Sequence, residues 1–232
     1  MKSIDLNVDI GEMAGYDIPL LAFASSANIC CGAHAGSPEH SLETALICRK
    51  LGVQIGAHPG YPDREHFGRR SWSELPSDIR NNFKESLKTQ LDHMVEFALY
   101  VKPHGALYND CTQPCESAEI LTEVLSESGL MLMGLPSTHH QTIARDAGVL
   151  FIREGFADRK YTDQGTLVSR KEPDAILTEP VEVCKQAERL AVEVDSLCLH
   201  GDTPGAVAFA DQLFQHLQSA GFEIAPFRPG GR

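Results

Sequence analysis

Residues 3–12 read SIDLNVDIGE. Ile4, Leu6, Val8 and Ile10 hold the even positions, and Asp5, Asn7 and Asp9 the odd ones. Strict alternation gives a strand with one apolar and one polar face. On an open antiparallel sheet the polar face would meet water. Here the strand runs into Gly11-Glu12, so carboxylates gather at its C-terminal end, and several later strands also end in His, Lys, Glu or Asp. In α/β folds, ligands bind at the carboxyl ends of parallel strands. Asp5, Asn7, Asp9 and Glu12 are therefore expected to form the first wall of a site.

Working outward, short apolar strands are expected at 27–31, 53–57, 97–101, 130–135, 149–152 and 196–199, with a last one at 222–225. Helical patterns lie between them. Ser37-Pro38-Glu39 is a helix start, with Ser as N-cap and Pro at the first position. Leu42, Ala45, Leu46 and Leu51 mark the expected buried face of that helix. A second helix carries the stripe Ile79, Phe83, Leu87, Leu91 and Val95. Further helices are expected from about 117, at 138–147 and at 181–194, and Thr203-Pro204 caps the final one. The long, charged segment 155–180 suits a lid or binding loop. Strand–helix alternation over about seven units makes a parallel sheet wrapped by helices, with right-handed connections. A closed or nearly closed β/α barrel, one domain over 1–232, fits this length without linkers or repeats. A flavodoxin-like open sheet is the alternative.

The chain has 232 residues, 42% hydrophobic and 22% charged, which suffices for a sizeable core. Its net charge of −12 argues against nucleic acid or an anionic membrane as partner. The seven Cys are odd in number and lie mostly in apolar or helical runs, so they read as reduced thiols. Cys111 and Cys115 form a C-x-x-x-C, but a zinc knuckle needs a second pair that the sequence lacks. No apolar run reaches the length of a membrane span. Met1-Lys2-Ser3 leads directly into the first strand with no signal peptide, so the cytoplasm is the expected location.

Five strand ends present titratable groups: Asp9 with Glu12, His58, Lys102 with His104, Glu154, and His200 with Asp202. His34 follows another short strand. One His alone is more often a hydrogen-bonded structural residue than a ligand. Several at equivalent topological positions converge in space. Asp9, His34 and His58 could hold a divalent metal that activates water. Without metal, the same rings would orient substrate or transfer protons. Lys102 precedes Pro103 and so sits on extended backbone. Its ammonium could stabilise an oxyanion or a transferring phosphoryl group. Thr203-Pro204-Gly205 offers N–H groups to an anion. The P-loop, the G-x-S-x-G elbow, H-E-x-x-H and G-x-G-x-x-G are all missing.

Seven blocks, spread over nearly the whole chain, carry a family resemblance: DLNVDIGE (5–12), SANICCGAHAG (26–36), GAHPGYPD (56–63), FGRR (67–70), VKPHGALYN (101–109), EGFADRKY (154–161) and CLHGDTPGA (198–206). The sequence resembles the LamB/YcsF family, lactam-utilisation proteins regarded as the A subunit of the prokaryotic 5-oxoprolinase. The resemblance implies a distorted seven-stranded, TIM-like β/α barrel similar to the glycoside hydrolase and polysaccharide-deacetylase type. It also implies ATP-dependent opening of 5-oxo-L-proline to L-glutamate, with ATP and magnesium as cofactors. Two partners are implied, subunits B and C, which resemble the halves of allophanate hydrolase. On the matching positions, Asp9, Glu12, His58, Lys102, His104, Glu154 and His200 are the expected catalytic groups. Asn7, Asn28, His34, Asp158, Arg159 and Asp202 are the expected substrate contacts. In that chemistry Lys102 and Arg159 would meet phosphate. Asp9, His58 or His104 would serve as base, and His200 or Glu154 as the acid for nitrogen. The rival readings are a metal-dependent, deacetylase-like hydrolase and a non-catalytic substrate-binding subunit. Two connections, from Glu12 to Ser26 and from Leu190 to Ser196, are shorter than the family pattern. Asp9→Asn and Lys102→Met are expected to abolish activity with little change in thermal midpoint.

Overall fold

The computed structural model describes residues 2–13, 15–170, 172–199 and 205–228. Seven parallel strands close into a barrel: β1 (Lys2–Ile10), β2 (Ser26–Cys30), β3 (Gln54–His58), β4 (Tyr100–Val101), β5 (Met131–Gly134), β6 (Phe151–Phe156) and β7 (Ser196–Leu199). Neighbours in sequence are neighbours in the sheet, and β1 closes the ring by pairing with both β2 and β7. An eighth strand, β8 (Phe222–Ile224), pairs with the first residues of β1. It shares an edge of β1 with β2, because Ala225 N donates to Ile4 O and Ser25 N donates to Leu6 O. The closed barrel excludes the open flavodoxin-like sheet.

The alternation in β1 sorts its side chains between two interiors. Ile4, Leu6, Val8 and Ile10, all at most 1% exposed, join the core between strands and helices. Burying each such side chain contributes roughly 1.5–3 kcal/mol. Asp5, Asn7 and Asp9 point the other way, into the barrel, where they meet side chains of β2, β7 and the residue just past β4. The polar face of β1 is thus a lining of the barrel and does not face water. Below the polar layer, Tyr100, Met131, Met133, Ile152 and Phe227 make a separate apolar plug. Gly56 makes room for it: a Cβ there would lie 2.3 Å from the Tyr100 ring.

The surrounding helices are α1 (Asp17–Leu20), α2 (Pro38–Leu51), α3 (Ser77–Asn81), α4 (Phe83–Asp92), α5 (Gly105–Asp110), α6 (Glu116–Ser128), α7 (His139–Ala147), α8 (Pro180–Leu190) and α9 (Ala206–Ser219). Ser37 caps α2 as expected, accepting from His40 N, with Pro38 at the helix start. The buried stripe of α2 differs from expectation. Ser41, Thr44, Ala45 and Cys48 face the strands, while Leu46 and Leu51 are more than half exposed. Small residues bring α2 close to the sheet, and the Ser41 hydroxyl bonds to Cys30 O and Ser37 O. The stripe from Ile79 to Val95 is cut at Asn82 into α3 and α4, and Met94 takes the buried place expected for Val95. A short helix, α5, follows Lys102-Pro103-His104 directly. The cap expected at Thr203-Pro204 lies outside the described residues. No described helix is long and apolar enough to cross a membrane.

Candidate active site

The strands deliver one polar cluster to the C-terminal mouth of the barrel. At its centre is Lys102, just past β4 and only 2% exposed. Its Nζ lies 2.8 Å from Asp9 Oδ1, 2.8 Å from Glu154 Oε1, 3.3 Å from Asn7 Oδ1 and 3.0 Å from Cys198 Sγ. Burial alone would lower the pKa of this amine, but the facing carboxylates and Cys198 hold it well above the ordinary lysine value. Lys102 is a fixed buried cation. Glu154 was expected at a strand end, but β6 runs on to Phe156, so Glu154 lies within the strand and wholly buried. Its contact with Lys102 is an ion pair set off the axis of a directed hydrogen bond. Burial raises the Glu154 carboxyl pKa, against the pull of Lys102.

Beneath Lys102 a hydrogen-bond ladder fixes the floor. Tyr100 OH donates to Asn28 Oδ1 at 2.7 Å, and Asn28 Nδ2 donates to Asn7 Oδ1 at 2.7 Å and to Asp9 Oδ1 at 2.8 Å. Asn7 Nδ2 donates to Ser196 Oγ, and Asp5 accepts from Ser25, Ser26 and Ser196. Burial lifts Asp5 to about 6, opposed by those three hydroxyls. Asp5 is therefore a buried support below the site, with the whole ladder between it and the mouth.

Three imidazoles crowd above Asp9. His58 Nε2 is 3.5 Å from Asp9 Oδ2, and its Nδ1 donates to Lys102 O at 2.7 Å. His104 stacks on His34 with ring centroids 3.7 Å apart, and its Nε2 donates to Phe67 O at 2.9 Å. Glu12 Oε1 reaches His104 Nδ1 at 3.2 Å and His34 Nε2 at 3.3 Å. Burial pushes His58 down to about 3 and His34 to about 4, so both rings are neutral near pH 7. Burial would raise Glu12, but the neighbouring His104 and His34 hold it below the usual carboxylate range.

The cluster opens into a cavity of about 640 Å³ whose wall includes Asp9, Glu12, His58, Lys102 and His104. Arg69, Arg159 and Arg170 also line it. Arg159 and Arg170 belong to the long segment after β6, which folds back on itself through antiparallel bridges Arg159–Ile176 and Tyr161–Leu167. Arg159 is buried, and its Nη2 donates to Val168 O at 2.6 Å, pinning that fold. Asp158 is also in this segment, its carbonyl accepting from Leu177 N.

Asn7, Asp9, Glu12, Asn28, His34, His58, Lys102, His104 and Glu154 thus come together as expected, and Arg159 reaches the same cavity. His200 and Asp202 lie outside the described residues. Of the metal set Asp9, His34 and His58, the first and last approach each other, whereas His34 turns its Nε2 to Glu12. Among the described residues, Glu12, His58 and His104 bring their ligand atoms close enough together for one ion. Tyr100, Cys198 and the Phe67-Gly68 backbone had not been singled out. Tyr100 was legible in principle, because period two from Lys102 places it on the same face of β4.

Several proteins resemble this chain in sequence or in fold. The sequence profile described as LamB/YcsF family matches residues 4–231. A protein of Methylococcus capsulatus, named as the A subunit of 5-oxoprolinase, is 38% identical over 252 residues, covering 97% of this chain and 95% of that one. The protein of the same name from Neisseria meningitidis is 38% identical over 245 residues, covering 97% and 100%. Among solved structures, a lactam utilization protein from Thermus thermophilus superposes with a TM-score of 0.83 at 32% identity, covering 97% and 100%. A family 4 carbohydrate esterase from Streptomyces lividans superposes with a TM-score of 0.56 at 10% identity, covering 99% and 95%, which is a likeness of fold.

Proposed function

The chain belongs to the LamB/YcsF family, and on that premise we propose that it is the A subunit of a 5-oxoprolinase. It would open 5-oxo-L-proline to L-glutamate with ATP and magnesium, beside subunits B and C. The observation that carries this reading is the buried ammonium of Lys102, held between Asp9 and Glu154 at the barrel mouth. A five-membered lactam is an unactivated amide, and its hydrolysis places negative charge on the carbonyl oxygen. A preorganised cation in a water-poor site stabilises that charge. Water adds to the ring carbonyl carbon, the carbon–nitrogen bond breaks, and the nitrogen takes a proton. Asp9 beside His58 is placed to accept the water's proton. Asp9 can return that proton to nitrogen as the bond breaks, while Glu154 remains the buried counter-ion of Lys102.

Phosphorylation of the amide oxygen by ATP, with release of ADP, would make the ring carbon more electrophilic; water adds there, the nitrogen leaves with a proton, and the acyl phosphate so formed is hydrolysed to glutamate and phosphate. The residues fit that demand in charge: Arg69, Arg159 and Arg170 line the cavity and match a carboxylate or phosphate oxygens. No P-loop is present in the sequence, which accords with a nucleotide site shared with partner subunits.

The test is glutamate release from 5-oxoproline by this chain alone and with subunits B and C, each with and without ATP. Turnover only in the complete, ATP-containing mixture supports the proposal. Hydrolysis of N-acetyl sugars without ATP would replace it with the deacetylase-like reading, and 5-oxoproline binding without turnover in any mixture with the binding-subunit reading.

A further inference from the structure

We propose that Glu12, His58 and His104 form a binding site for one divalent metal ion of zinc type at the barrel mouth. The argument starts from what lies behind each ring. His58 Nδ1 is 2.7 Å from Lys102 O, and His104 Nε2 is 2.9 Å from Phe67 O. A carbonyl oxygen only accepts, so both of those nitrogens carry the proton. With those protons in place, the other nitrogens, His58 Nε2 and His104 Nδ1, are the ones free to offer lone pairs. These two acceptors face each other across 3.1 Å. Lone pairs so placed repel unless a cation lies between them.

The third donor completes the geometry. Glu12 Oε1 is 3.2 Å from His104 Nδ1 and 3.9 Å from His58 Nε2. A tetrahedral ion with bonds of about 2.0–2.1 Å sets its ligand atoms about 3.3 Å apart. The three separations, 3.1, 3.2 and 3.9 Å, bracket that edge. Two nitrogens and one carboxylate oxygen, with a fourth position open to the cavity, are the donor set of a catalytic zinc site.

The surroundings are those that orient metal ligands. Each ring is aimed by a backbone carbonyl on its far nitrogen. His34 Nε2 donates to Glu12 Oε1 at 3.3 Å and acts as a positioning residue for that carboxylate. Asp9 Oδ2, 3.5 Å from His58 Nε2, stands beside the open position. The inference deepens the lactam reading, on which its role rests, by naming what fixes the attacking water; the site itself rests on geometry alone.

The experiment uses the full chain stripped by a chelator and exchanged into metal-free buffer. Zinc is titrated calorimetrically, and cobalt(II) is followed by its visible ligand-field bands. One ion per chain with sub-micromolar affinity is expected, with a cobalt spectrum of four or five ligands. His104→Ala and Glu12→Gln should each weaken binding beyond the roughly 10–100-fold typical of an outer contact, and His34→Ala should fall within that range. Cys115→Ser should bind unchanged, which separates this site from the Cys111–Cys115 thiols. Circular dichroism confirms folding; if His104→Ala does not fold, Glu12→Gln carries the test. Folded wild-type protein that gives neither heat nor spectrum overturns the inference, as does binding that survives both ligand substitutions; the contact between the rings is then made by a shared proton. These readouts need no substrate, so failure of the metal site and failure of lactam cleavage are separately visible.

Discussion

Lys102 Nζ lies 2.8 Å from Glu154 Oε1 at a point where neither side chain reaches solvent. A site lysine on the surface could be replaced without harm to the fold, which was the expectation from sequence. Burial changes that expectation. Lys102→Met would leave Asp9 and Glu154 facing each other without a cation, and breaking a buried ion pair from one side costs about 3–5 kcal/mol. We therefore expect loss of activity together with a large fall in Tm. Adding Glu154→Gln to Lys102→Met should restore much of the Tm and none of the activity. A single variant as stable as the wild type would refute the buried pairing.

Gly68 has a φ of +64°, and a Cβ there would sit 3.0 Å from His34 Cβ and 3.2 Å from His104 Cδ2. Gly165 has a φ of +78° with nothing near it. Alanine at either position meets the same left-handed penalty, about 1–2 kcal/mol. Gly68→Ala alone should also spread the stacked rings. Similar losses of Tm are expected, with turnover falling at least about tenfold only for Gly68→Ala. Equal turnover in the two variants would count against the His34–His104 stack as part of the site.

Acid stability follows from the buried rings. His58 falls to about 3, and His34 and His140 to about 4, with burial the leading cause in each. His140 is held neutral outside the site, accepting from Leu135 N and donating to Tyr108 O. Below the ordinary pKa of about 6.5 the unfolded chain takes up protons that these native rings refuse. Their contribution is complete above about pH 6.5 and is lost as pH falls toward 4. Asp5, raised to about 6, pulls the other way between about pH 4 and 6. Glu154, Asp17 and Asp110 are raised too, but Glu12 and Asp63 are held low and side with the three rings, each group worth at most about 1.4 kcal/mol per pH unit. Tm should drop steadily from pH 6.5 to 4, with a shallower slope in His140→Gln. A flat profile would show that the rings are charged in the native protein.

Cys115 is the half-buried N-cap of α6, and its pKa is lowered to about 6, chiefly by a hydrogen bond from Cys111. Cys111 and Cys198 are buried and pushed well above the ordinary thiol value. The thiolate is the reactive form. Iodoacetamide at pH 7 should label Cys115 first, as read by peptide mass mapping, with a rate that falls below about pH 6. Faster labelling of Cys198 would mean that the barrel interior opens to solvent.

Alternation and strand ends made the barrel and most of its mouth legible. They placed Asp9, His58 and Lys102 correctly because period two is fixed by backbone geometry. They misjudged Glu154, since a strand's last residue is set by pairing with β7 and not by local composition. They misread α2, where two stripes share the helical period and the leucines lost to small residues that pack closer. The pairing of His104 with His58 was beyond the sequence altogether. It depends on the Phe67 carbonyl, which no side-chain pattern reveals, and on Gly68 leaving space beside it.

The double use of one edge of β1, by β8 at its start and β2 at its end, has a temporal consequence. The residues on β1 bond to partners made far later: Asn7 to Ser196, 189 positions on, and Asp5 to the same serine, 191 positions on. A nascent chain can lay β1 beside β2 early, but the ring stays open until β7 and β8 have left the ribosome. Such long-range closure slows folding and leaves strand edges exposed meanwhile. It also means that a prematurely terminated chain carries every motif of the first four strands and no finished pocket. The barrel mouth takes shape only in a chain whose synthesis has reached β8.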